Sequence, residues 1–192
     1  MIRALYNWTI NQAATPYALW ALAVVAFAES SFFPIPPDIL LIPIIIARPK
    51  NAFLIATIAT FASVLGGGLG YYIGLKFYEL IGSAIVAFYH AEELFKEFQV
   101  QFNQFGTIAV LVAGITPFPY KIITISSGIA ELPFLQFLFY SIIARGTRFY
   151  VIALLLRLYG DKIRGFIEKH LNLVFALFVV LLGGGFVLIT GL

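Results

Sequence analysis

An apolar run that is broken by prolines and carries two carboxylates constrains this chain more than anything else in it. Residues 27–47 read FAESSFFPIPPDILLIPIIIA, with Glu29 and Asp38 among hydrocarbon side chains and Pro34, Pro36, Pro37 and Pro43 interrupting them. Proline lacks a backbone donor and clashes with the carbonyl four residues earlier, so the run cannot be one regular helix. Lipid offers no partners to the backbone groups released, and such a break persists only where it is buried in protein or lines a wet cavity. A carboxylate at membrane depth is equally unfavourable and marks a site or a pair. Residues 17–28 and 38–47 are both short of the roughly 20 apolar residues that a span takes. Two half-length arms around a Pro-rich tip predict a re-entrant hairpin over 17–47, entering and leaving on one side. The competing reading is a single long kinked span.

Of the 192 residues 61% are hydrophobic and only 11% charged, whereas ordinary soluble domains are about a quarter charged. The chain therefore reads as an all-α integral membrane protein, and its size suits a single membrane domain over 1–192. The absence of cysteine excludes disulfides and thiolate metal sites. A net charge of +3 is no nucleic-acid signal in such a chain; where the charges fall along the loops says more. No secretory leader is expected, because Arg3 precedes Asn7, Thr9, Asn11 and Gln12 and no small-residue cleavage pattern follows the apolar run.

Residues 1–15, with Tyr6 and Trp8, predict a short interfacial helix, since such rings favour the headgroup layer. Pro16 suits a first helical position. Beyond Arg48, Pro49 and Lys50, residues 52–73 predict a transmembrane helix ending in Gly66, Gly67, Gly68 and Gly70, with Gly74 just after. The glycines lack the Lys-Ser/Thr pair of a phosphate loop; close approach of a neighbouring helix explains them better. Residues 76–105 place Phe88, Phe95, Phe98, Phe102 and Phe105 at helical spacing among Glu92, Glu93, Lys96 and Glu97. That pattern predicts an amphipathic segment at the membrane surface, with His90 an ordinary interfacial side chain. Residues 107–131 repeat the opening theme: an apolar arm, a tip with Pro117 and Pro119, the cation Lys121, and an arm rich in Ile, Ser and Thr. They predict a second re-entrant hairpin. Residues 134–156 predict a transmembrane helix carrying Arg145 and Arg148, 157–169 a basic loop, and 171–192 a last transmembrane helix.

With the N-terminus cytoplasmic and both hairpins re-entrant, Arg3, Arg48, Lys50, Arg157, Lys162, Arg164 and Lys169 fall inside and only Lys76 and Lys96 outside, as the positive-inside rule asks. The hairpins then enter from opposite faces, and inverted repeats with broken helices meeting at the midplane are a transporter pattern. Glu29, Asp38, Lys121, Arg145 and Arg148 remain at membrane depth and sum to +1. A cation surplus beside free amides at hairpin tips suits an anionic lipid headgroup, phosphate above all. Arg145 and Arg148 lie three apart on one helical face and are a candidate phosphate clamp. Glu29 or Asp38 is a candidate proton carrier, because desolvation favours the neutral acid. Mutual salt bridging that merely holds the bundle is the structural alternative. Ser30, Ser31, Ser126 and Ser127 have no neighbouring histidine, His90 and His170 lie elsewhere, and no metal-ligand spacing occurs. Neither enzyme chemistry nor a metal or cofactor is expected.

Glu29 followed by Pro34, Pro36, Pro37 and Asp38, the later Gly66, Gly70, Tyr71 and Gly74, and the turn of Pro117, Pro119 and Lys121 before a Ser/Gly segment form a recognisable series. Over residues 17–160 it resembles the DedA family, the bacterial branch of the VTT or "SNARE-associated" membrane proteins, in its YqaA-like subgroup. The resemblance implies facing re-entrant hairpins and movement of lipids across the inner (plasma) membrane. Bacterial members are implicated in proton-coupled recycling of undecaprenyl phosphate, and eukaryotic relatives scramble phospholipids. By motif, Glu29 and Asp38 correspond to the family's acidic pair and Lys121 to its basic residue after the second turn. The chain departs from the family in a shorter Glu-to-Asp spacing, in Gly114, Ile115 and Thr116 where an arginine precedes the proline, and in lysine for arginine at 121. Lysine offers phosphate no bidentate fork. Two other classes stay open, a membrane scaffold with structural salt bridges and a proton-coupled antiporter for small cations. The glycine rows permit a homo-oligomer.

Overall fold

Each proline turn separates two helices in the computed structural model, which describes Thr15 and residues 17–116 and 118–169. In chain order these residues form α1 (Tyr17–Ser31), α2 (Asp38–Ala47), a 3-10 turn (Pro49–Asn51), α3 (Ala52–Phe77), a π turn (Tyr78–Gly82), α4 (Ser83–Phe88), α5 (Glu92–Ile115), α6 (Tyr120–Ile129) and α7 (Phe134–Lys169). The architecture is all-helical, with no strand among the described residues.

Proline ends α1. The amides of Phe32 and Phe33 both reach back to the Ala28 carbonyl, at 2.8 and 2.7 Å, before Pro34 stops the ladder. Pro37 (φ −65°) then leads into α2 with Asp38 in its first turn, where a carboxylate complements the helix dipole. Pro43 sits within α2. At 1.5 Å per residue α1 and α2 reach only about 22 and 15 Å, short of a hydrocarbon core of about 30 Å.

α3 is the central post, packed by α1, α6 and α7. Its glycines make the approach possible. A Cβ on Gly66 would lie 2.0 Å from the carbonyl oxygen of Phe27 in α1, and one on Gly74 would lie 2.0 Å from that of Ile125 in α6. Around this post stand two apolar cores. One joins Leu22, Leu41, Ile44, Ile45, Ile55 and Phe149; the other joins Tyr71, Val110, Tyr120, Leu132 and Phe137.

Among the described residues, three helical stretches are long and apolar enough to cross a membrane: Pro49–Phe88, Glu92–Ile115 and Phe134–Gly160. The expected spans 52–73 and 134–156 fall within the first and third. The expected span 171–192, the interfacial helix over 1–15 apart from Thr15, and Pro16 lie outside the described residues. Two expectations need correction. The amphipathic segment 76–105 is not one element: the chain turns at Tyr89 to Ala91, and the latter half of the segment runs unbroken, as α5, through the residues expected to form the first arm of a second hairpin. That helix contains no proline, and its glycines, Gly106 and Gly114, each cost about 1 kcal/mol, too little to stop it. The basic stretch 157–169 is helical as the end of α7; it contains no proline, and Arg157 lies over the ring of Phe53 at 5.0 Å.

Two turns share one closure. At the end of α4, the Ala91 amide bonds the Val86 carbonyl and the His90 amide bonds that of Ala87; at the end of α6, Leu132 bonds Ser127 and Glu131 bonds Gly128. These are Schellman closures, with His90 (φ 51°) and Glu131 (φ 55°) in the left-handed position that glycine usually fills.

Candidate functional site

A polar layer separates the two apolar cores. On α3, Ser63 lies between Ala59 of one core and Tyr71 of the other; on α7, Ser141 and Arg145 lie between Phe137 and Phe149. Ser30, Ser63 and Ser141 are fully buried and Arg145 is 1% exposed. Buried polar groups require partners, and the partners here come from both proline-turn units.

Arg145 is held on every side. Its Nη2 donates to Glu29 Oε2 at 3.1 Å and its Nε to Ser63 Oγ at 2.6 Å. Ser63 Oγ is 2.6 Å from Ser30 Oγ, which donates to Glu29 Oε2 at 3.2 Å. A guanidinium only donates, so Ser63 accepts from it and passes its own proton to Ser30. The hydrogen bonds therefore close into a ring from Arg145 through Ser63 and Ser30 to Glu29 and back. The ring of Tyr120 covers the guanidinium at 4.9 Å and that of Phe149 at 4.7 Å, a cation–π arrangement that strengthens when desolvated. The Tyr120 hydroxyl in turn donates to Ser141 at 2.5 Å.

Arg148, one helical turn further, is held differently. Its Nη2 donates to Asp38 Oδ2 in an ion pair, and its Nη1 donates to the Thr116 carbonyl at 2.7 Å. Asp38 opens α2 just after the first turn and Thr116 follows α5 just before the second. One side chain thus ties the two turns together. Asp38 Oδ1 and Arg148 Nε are buried without a hydrogen-bond partner among the described residues, and each group so left is unfavourable by about 1–3 kcal/mol. Beside Arg148 is a cleft of about 260 Å³ lined also by Ile115, Thr147, Val151 and Ile152.

Lys121 stands apart from both ion pairs. Its Nζ donates to the Phe33 carbonyl at 3.2 Å, a second link between the turns. Thr124 supplies a third, its hydroxyl donating to the Ser30 carbonyl at 3.0 Å. Of the tip prolines, Pro34, Pro36 and Pro119 are exposed, Pro37 is buried, and Pro117 lies outside the described residues.

The four other ionisable residues singled out in the sequence are thus brought together as two pairs, Glu29 with Arg145 and Asp38 with Arg148. Sequence reasoning missed Ser63, Tyr120, Phe149, Thr116 and Thr124. A signal for Ser63 existed: it stands three, four and seven residues before Gly66, Gly67 and Gly70, on the face that meets other helices. Nothing in the sequence marks the Thr116 carbonyl as an acceptor.

The chain is 35% identical over 170 residues to an uncharacterised protein of Histophilus somni and 33% identical over 170 residues to one of Haemophilus influenzae, each match covering 88% of both chains. An uncharacterised protein of Methanocaldococcus jannaschii is 26% identical over 132 residues, 69% of this chain and 79% of that one. No solved structure gives a significant match. The VTT domain matches residues 34–158, from the first proline turn through Arg145 and Arg148 of α7. A chain whose described residues are all helical, with three stretches among them apolar enough to span, and whose ion-paired residues apart from Glu29 fall within that match, is a membrane protein of the VTT-domain (DedA) family.

Proposed function

We infer that this protein moves a lipid with a phosphorylated, anionic headgroup, undecaprenyl phosphate or a phospholipid, across the bilayer. The observation that carries the reading is the convergence of both proline turns on Arg148, with Lys121 close by. Two broken backbones and a surplus of one cation in an apolar bundle exceed what holding helices together requires, and suit phosphate. In this reading α1 and α2 form one re-entrant hairpin, and the end of α5 with α6 forms the other, inverted. The headgroup passes along a polar path between the two proline turns while the lipid tails stay in the hydrocarbon. Glu29 or Asp38 takes up a proton for coupling, the N-terminus is cytoplasmic, the membrane is the inner one, and no catalysis, metal or cofactor is involved. The YqaA-like resemblance supports the same assignment.

Liposomes holding the purified chain are expected to equilibrate a labelled phospholipid or polyprenyl phosphate between leaflets faster than empty liposomes. Equal rates would sink the reading. A scaffold is the second reading, favoured by the closed ring around Arg145, which resembles a structural joint. It expects Arg148→Gln to lower stability with no lipid movement to lose.

A further inference from the structure

We propose that the two ion pairs do different work: Glu29 with Arg145 is a permanent joint of the bundle, whereas Arg148 takes the lipid phosphate, in the cleft it shares with Ile115, Thr147, Val151 and Ile152. The proposal rests on the lipid-moving reading above and names the contact within it.

The difference lies in what each guanidinium has left to gain. Arg145 is 1% exposed, has its Nε and Nη2 engaged in a closed ring of hydrogen bonds, and lies over the rings of both Tyr120 and Phe149. An incoming anion would have to break all of these at once. Arg148 is paired to Asp38 and to one carbonyl, and the pair retains an unmet donor at Nε and an unmet acceptor at Asp38 Oδ1. A buried polar atom left unmet in a native fold calls for an explanation, a ligand among them. The cleft supplies the surroundings that a lipid needs. Arg148 is its charged member, Thr147 adds a hydroxyl, and Ile115, Val151 and Ile152 are apolar walls, so a phosphate and the first carbons of its chain find complementary surfaces side by side. Ile115 and Val151 are exposed on the outer surface of the bundle, which gives a lipid sideways access. Occupation would draw Arg148 off the Thr116 carbonyl and Asp38, releasing one of the ties between the turns.

The test uses the full chain in detergent, with thermal stability read against dioctanoyl phosphatidic acid, dioctanoylglycerol and inorganic phosphate. A ligand that binds the folded state raises the midpoint, and raises it further the more its concentration exceeds its dissociation constant. The expected result is a rise with phosphatidic acid and none with the glycerol or with free phosphate at the same concentration. The double variant Asp38→Asn with Arg148→Gln removes the pair together, so no unpaired buried charge is left to unfold it; its rise is expected to vanish. Val151→Trp fills the cleft without touching a charge and is expected to raise the half-saturating concentration at least tenfold. Ser63→Ala weakens the Arg145 ring and is expected to lower the starting midpoint while keeping the rise. A rise that survives in the double variant, is lost in Ser63→Ala alone, is equalled by inorganic phosphate, or is absent from the parent chain overturns the proposal. Lipid equilibration in liposomes separates it from the broader reading. A double variant that moves lipid as fast as the parent removes Arg148 from the path and leaves transport standing. A parent chain that binds through Arg148 yet moves no lipid leaves the site standing and removes transport.

Discussion

Arg145 and Arg148 are chemically alike and lie one helical turn apart, yet their neighbours give them different surroundings. Removing Arg145 strands the Glu29 carboxylate in the polar layer. Breaking a buried pair from one side typically costs about 3–5 kcal/mol, so Arg145→Ala is expected to lose most of the folded population in detergent melts, with Glu29→Gln milder because the amide can still accept from the guanidinium. Equal melts for Arg145→Ala and the parent would show that the ring carries no stability. The left-handed turn residues give a second prediction at this scale. His90 and Glu131 hold φ of 51° and 55°, a conformation that disfavours residues with a Cβ by about 1–2 kcal/mol. Each changed singly to glycine is expected to raise the melting midpoint by about 1 kcal/mol equivalent, less the greater entropy that glycine loses on folding. A drop would mean that the side chains contribute more than the strain removes.

Among the elements, α3 decides the arrangement, and its glycine row is not uniform. A Cβ on Gly74 would meet the Ile125 carbonyl at 2.0 Å, whereas one on Gly68 would meet nothing nearer than Phe134 Cζ at 3.9 Å. Gly74→Ala is therefore expected to force α6 away from α3 and destabilise strongly, while Gly68→Ala is expected to be neutral or to gain up to about 1 kcal/mol of helix propensity. Thermal melts of the two variants side by side check this, and similar behaviour would mean that the contact is not rigid. The row was legible as a packing face, but its unequal members were not, because which glycine meets a backbone depends on where α1 and α6 cross. The extents of α5 and α7 were likewise illegible. Residues 92–115 show an amphipathic half followed by an apolar half, and a change of composition looks like a boundary although nothing in the backbone chemistry there ends a helix.

Over the whole molecule, the two proline turns are tied by Lys121 to Phe33, Thr124 to Ser30, and Arg148 to both Asp38 and Thr116. A headgroup that passes between the turns requires them to part. The chain contains no cysteine, so Phe33→Cys with Lys121→Cys can be bridged by a short bifunctional thiol reagent without a background reaction. Bridging is expected to stop whatever lipid equilibration the untreated double variant retains, and each single variant treated alike is expected to keep its own untreated rate. Movement that continues with the bridge in place would put the path elsewhere.

The membrane class, the all-helical architecture, the two breaks and the five ionisable residues were determined by the sequence alone. They follow from local facts: proline cannot continue a helix, hydrocarbon cannot solvate a charge, and 11% charge cannot clothe a soluble surface of this size. Which carboxylate meets which arginine was left to the tertiary structure. So were the serine relay that closes one pair into a ring, the aromatic rings over Arg145, and the unmet atoms beside Arg148. The contacts of the arginines with Ser63, Asp38 and Glu29 join residues 82, 110 and 116 positions apart in the chain, and only the packing of α1, α2 and α6 around α3 and α7 brings such distant groups within hydrogen-bond range.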